Sequence, residues 1–100
     1  MDHDWNEVGY RLAYAYGVAN PTHDEVMYMA TVAQAFSVYR ERETEYGALW
    51  KESGSEDNAM QIKSKAQRML GGLTAKVWGD SALDCINYAV FYFLNKKAGR

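Results

Sequence analysis

The stretch from Asp80 to Leu94, DSALDCINYAVFYFL, constrains the fold of this chain more than any other. Wound as a helix, it sets Leu83, Ile86, Val90, Phe93 and Leu94 on one side. Ala82, Cys85 and Ala89 make a second face of small residues. A helix apolar on two sides is expected to run through a core. A third stripe interrupts it, because Asp80, Asp84 and Asn87 recur at i, i+4 and i+7 and stack along one line. Buried carboxylates are costly unless paired or hydrogen-bonded. The line therefore either meets basic partners inside the fold or opens onto a ligand.

A chain of 100 residues makes a single domain with a modest core. With 48% apolar and 14% aromatic residues, it carries enough hydrophobic surface for a subunit interface as well. A homo-oligomer is expected, most simply a dimer. The formal charge of −2 argues against whole-surface affinity for extended nucleic acid or an anionic membrane. The one cysteine, Cys85, has no internal disulfide partner and reads as a small buried hydrophobe. The amino-terminal MDHDWNEVGY lacks the basic-then-apolar pattern of a secretion signal. No apolar run approaches the ~20 residues needed to span a bilayer, so the expected location is the cytoplasm.

Along the chain, Asp4 predicts the cap of a first helix over Trp5 to Tyr16. The alternation of Tyr10, Leu12, Tyr14 and Tyr16 also fits a strand, and Gly9 lowers helix propensity. Gly17 and Pro21 punctuate, and Thr22 to Glu25 then spells the T-x-x-E capping box of a long second helix. Val26, Met29, Ala30, Ala33 and Phe36 keep helical spacing, and the pattern runs to about Tyr46 and Gly47. Extending that face brings Arg40 inward, the natural partner for Asp84. The flanking Glu41, Arg42, Glu43 and Glu45 alternate in sign with it and read mainly as solvated surface.

Lys51 to Asn58, KESGSEDN, reads as a polar loop. A third helix over Asp57 to Leu70 has Ala59, Ile62, Ala66 and Met69 as its core stripe, with Lys63, Lys65 and Arg68 around it. These cations either snorkel at the helix border or serve a site. Gly71 and Gly72 stop that helix, and Leu73 to Gly79 is a connector that tucks Val77 and Trp78 under the bundle. Asp80 either joins the polar stripe or caps the final helix, which Lys96, Lys97 and Gly99 close. The expected architecture is an all-α bundle of about four helices.

No phosphate-binding glycine loop, nucleophile elbow or Cys/His metal spacing is present in the sequence, and His3 and His23 read as surface residues. What remains is an ordered set of motifs: ETEYGALW at Glu43 to Trp50, IKSKAQR at Ile62 to Arg68, and DSALDCINYAV at Asp80 to Val90. In this order the chain resembles the nucleotide modification associated domain family of phage and bacterial proteins. Small helical members of that family are similar to MazG-like nucleotide pyrophosphohydrolases. The resemblance covers about Arg40 to Phe93. It implies a nucleotide-type ligand and, for an enzyme, magnesium held by an E-x-x-E pair and a later E-x-x-D pair. Asp84 matches the last acid and Asp80 lies one position off its partner, while the earlier pair is missing. Lys63, Lys65 and Arg68 stand where it would be expected.

That substitution favours holding a nucleotide over cutting it, with no cofactor. In this reading Arg40, Lys63, Lys65 and Arg68 grip the ligand, and Tyr46 and Trp50 stack a base. Asp84 or Asn87 then reads the base or ribose edge, with Asp80 counted among the ligand-binding residues. A holder without chemistry would act by sequestration, for example of a host immune-signalling nucleotide. Two alternatives stand beside it: a magnesium-dependent pyrophosphohydrolase using Asp80 and Asp84 with Glu43 or Glu45, and an interaction protein whose polar stripe is a closed structural network.

Overall fold

A computed structural model describes residues 3–72 and 74–100. Four helices follow one another: α1 (Trp5–Tyr16), α2 (His23–Tyr46), α3 (Leu49–Leu70) and α4 (Ala75–Lys97). The fold is the expected all-α class, with no strand among the described residues. No helix of these is long and apolar enough to cross a membrane. The chain forms two compact units, Met1–Ser37 and Val38–Arg100.

The first unit comprises α1 and the first part of α2. Asp4 accepts a hydrogen bond from the Glu7 amide at 3.2 Å, the cap its sequence predicts. Gly17, at φ 122°, ends α1 by donating to the Ala13 and Tyr14 carbonyls. Helix wins over strand here, and Gly9 shows why a poor helix former is tolerated. A Cβ at Gly9 would lie 2.1 Å from the Val26 carbonyl oxygen and 3.0 Å from the Ala30 Cβ, so α1 meets α2 at bare backbone. The capping box closes reciprocally, Glu25 N to Thr22 Oγ1 at 3.1 Å and Thr22 N to Glu25 Oε1 at 2.8 Å. The Thr22 backbone amide first, and the Thr22 hydroxyl after it, hydrogen-bond the Glu25 carboxyl and hold its pKa below the ordinary range. What the unit buries is small, Ala13, Ala30 and Ala35, while Tyr14, Tyr16, Tyr28 and Phe36 stay exposed.

The second unit comprises the end of α2 with α3 and α4. Helix α3 overturns the expected loop at Lys51–Asn58, because only Gly54 leaves helical geometry, at φ 83° and ψ 170°. That conformation is open to glycine and closed to residues with a Cβ. The polar composition of KESGSEDN therefore marks a one-residue break between helical segments. Beyond the break, the Ser55 amide donates to the Arg100 carbonyl at 3.0 Å.

Helix α4 likewise begins before the sequence reading placed it. Thr74 accepts from the Val77 amide at 3.3 Å and caps the helix, so Asp80 is not the N-cap. Val77 and Trp78 are exposed rather than tucked under a bundle, and Leu73 lies outside the described residues. The expected core stripe is also redistributed. Val90, Phe93 and Leu94 are exposed, whereas Ser81, Asp84 and Asn95 are buried. The best-covered line of α4 is thus the polar one. Lys96 and Lys97 close the helix as expected.

Candidate functional site

The polar line of α4 converges on Asp84, whose side chain is 6% exposed. Its Oδ1 accepts from Arg42 Nη1 at 2.6 Å, and its Oδ2 meets Lys65 Nζ at 3.2 Å. Lys65 is 15% exposed and Arg42 50%, so the lysine supplies the better shielded charge. The Arg40–Asp84 pair expected from sequence is therefore wrong by two residues. Arg40 is exposed and Arg42 makes the contact. At 100° per residue the two arginines point about 200° apart, and Arg42 follows Tyr39 by three residues on the covered face. A stripe read over Val26–Phe36 carries no information on which face is covered beyond Ser37, where a different unit does the covering.

Below Asp84 the line continues to Phe91 and Asn95. Phe91 stacks on Trp50 at 4.6 Å and 9°, meets the Tyr88 ring edge-on at 5.8 Å and the Tyr39 ring at 5.7 Å. Asn95 is fully buried. Its Oδ1 accepts from Arg100 Nε at 3.0 Å, which fixes the amide orientation because a guanidinium only donates. Its Nδ2 then donates to the Trp50 carbonyl at 2.9 Å and to Asn58 Oδ1 at 2.6 Å. Asn58, also fully buried, must turn its oxygen toward Asn95. Its Nδ2 is left without an acceptor, as is Trp50 Nε1. An unmet buried donor is uncommon and costs about 1–3 kcal/mol.

Beside this network lies a cavity of about 310 Å³ within the second unit. The rings of Tyr39, Tyr46, Trp50, Tyr88 and Phe91 line it, together with the amides of Asn58, Gln61 and Asn87. Its charged lining is Arg42 against Glu43, Asp57 and Asp84. The Tyr39 hydroxyl hydrogen-bonds Glu43, which with partial burial pushes its pKa up. Burial, then the Asp84 charge, pushes the Tyr88 phenol up as well. Both therefore stay protonated donors at neutral pH.

Of the residues singled out from sequence, Tyr46, Trp50, Asp84 and Asn87 line this cavity. Lys65 reaches it only through Asp84. Lys63 and Arg68 are exposed and outside the lining, as is Arg40. Asp80 is exposed and pairs with Lys76 at 3.3 Å, one helical turn away on α4. The sequence reading missed Arg42, Asn58 and Asn95. Asn95 had a signal, because the line through Asp84, Asn87 and Phe91 reaches it one turn further on. Asn58 had none once its segment was read as a loop.

Cys85 places its Sγ 3.8 Å from the Ile62 carbonyl, and burial pushes its thiol pKa up, away from a reactive thiolate. Magnesium, implied by the resemblance to pyrophosphohydrolases, does not fit the acids present. Among the described residues no group of three or more His, Cys, Asp or Glu side chains is arranged to hold a metal ion. Both oxygens of Asp84 already face cations. Comparison with family models, curated proteins and solved structures finds no match to this chain.

Proposed function

We propose that the second unit holds a nucleotide-type small molecule without cutting it, in the cavity between the end of α2, α3 and α4. The observation that carries this reading is the cavity itself, about 310 Å³ lined by aromatic rings and amides, two of whose lining residues, Trp50 and Asn58, each bury a donor without an acceptor. That size and mixture suit a heterocyclic ligand. The motif resemblance over Arg40–Phe93 supports the same ligand class. Sequestration of a nucleotide-derived signal, as by a phage protein against a host defence, is the action such a holder would have.

The test is a thermal-shift panel of nucleosides, nucleotides, dinucleotides and cyclic nucleotides, each with magnesium and with chelator. A metal-independent shift, with the ligand recovered intact, is the expected result. A shift that needs magnesium, or a consumed ligand, would move the assignment to a pyrophosphohydrolase. No shift across the panel would leave Asp84 and its cations as a structural network.

The same proposal includes a second copy of the chain. Among the described residues the buried apolar side chains are those of Ala13, Ala30 and Ala35, whereas Trp78, Val90, Phe93 and Leu94 on α4 are exposed. A chain this small gains too little from so small a core, and pairing of copies covers apolar faces. Light scattering after size exclusion is expected to give a multiple of 11.4 kDa. A monomer at micromolar concentration would contradict it.

A further inference from the structure

We infer that the cavity of the second unit takes the base or nucleoside half of its ligand, an uncharged planar heterocycle bearing hydrogen-bond acceptors, and leaves phosphate outside. This rests on the nucleotide reading above and deepens it. Charge excludes phosphate from the cavity. The lining carries Arg42 against Glu43, Asp57 and Asp84, one cation to three acids. Arg42 and Lys65 both engage Asp84, so neither offers an unopposed charge to a phosphate. A triphosphate inside would face Glu43 and Asp57 across a short distance, with repulsion strengthened by the partly enclosed setting.

Unmet donors favour a ligand that brings acceptors. Asn58 Nδ2 and Trp50 Nε1 are buried without acceptors in residues that wall the cavity. The Asn58 amide cannot flip to remove the deficit, because Asn95 Nδ2 needs its oxygen at 2.6 Å. A carbonyl or ring nitrogen entering the cavity supplies the missing acceptor, which apolar compounds and cations cannot do. Both donors lie beneath the cavity surface, so the contact requires these side chains to move. Trp50 already stacks on Phe91 at 4.6 Å, so a base is not sandwiched between those two rings. The exposed ring of Tyr46, which also lines the cavity, offers a face for it.

The experiment is calorimetric titration of the full chain with adenosine, guanosine, cytidine and uridine, with their mono- and triphosphates, and with inorganic triphosphate. All are measured in chelator at two salt concentrations. The best nucleoside is expected to bind within about threefold of its monophosphate, because phosphates held outside contribute only screened contacts. Its affinity is expected to be insensitive to salt. Nucleotides that bind while nucleosides do not, or competition by inorganic triphosphate, would overturn this inference and leave the nucleotide reading standing. Silence of every compound would overturn both. The paired substitution Glu43→Gln with Asp57→Asn is expected to improve triphosphate over nucleoside binding by roughly two- to fivefold. An unchanged ratio in a folded variant would contradict the charge argument.

Discussion

The two units enclose hollows of nearly equal size and different chemistry. In the first unit, about 330 Å³ lies among Ala13, Tyr16, Val18, Tyr28 and Met29 beside Asp24 and Glu25, and Glu25 is engaged in capping Thr22. In the second, about 310 Å³ is bounded by amides, acids, an arginine and rings, with two buried donors lacking acceptors. Volume alone does not identify a site. The difference lies in polar groups whose cost the fold does not offset internally, and among the described residues these belong to the second unit. The first unit instead uses small residues to bring backbones together at Gly9, and Asp4, Thr22 and Glu25 cap its helix starts.

The largest expected effect breaks the polar side of this comparison. Asp84→Ala leaves Lys65 as a poorly exposed cation without its anion and is expected to cost about 3–5 kcal/mol. Urea denaturation checks it. A loss below about 1 kcal/mol, the range of surface pairs, would show that the network is solvated. Next comes the small-residue contact of the first unit. Gly9→Val drives a Cβ into the Val26 carbonyl and is expected to cost about 2–3 kcal/mol, as overpacking does. Hydrogen exchange should localise the loss to α1 and the start of α2, with protection in α3 and α4 retained.

Thr22→Ala removes the hydroxyl half of the capping box and is expected to cost about 1 kcal/mol, read as faster exchange at the first turn of α2. The smallest effects separate the units by pH. Glu25 has a lowered folded pKa, so its contribution is present above its ordinary value of 4.5 and is lost as pH falls through the lowered one. Tyr88 has a raised pKa, so its contribution is complete below 10.0 and is lost as pH rises through the raised value. Thr22→Ala should weaken the acid dependence alone, and Tyr88→Phe the alkaline dependence alone.

Local signals in the sequence were read well wherever one residue decides the outcome. Asp4, the Thr22–Glu25 box and Gly17 set the ends of α1 and the start of α2, and each acts through its immediate neighbours. Asp84 was legible because a carboxylate on an apolar helix requires a partner. Its partner was not, because choosing Arg42 over Arg40 depends on which face of α2 the second unit covers. Lys51–Asn58 misled for a related reason. Polar composition signals a solvated segment, and an exposed helix with one glycine break satisfies that as fully as a loop. The basic residues of α3 form one group in the sequence, yet Lys65 turns to Asp84 while Lys63 and Arg68 stay exposed.

The central claim is that binding belongs to the second unit and to its unmet donors. Hydrogen exchange of the full chain with and without millimolar nucleoside, using the nucleoside that gives the largest melting shift, tests it most directly. The account predicts added protection at Trp50–Gln61 and Asp84–Phe91, with α1 unchanged. Protection confined to the first unit, or none with any nucleoside or nucleotide, would contradict it.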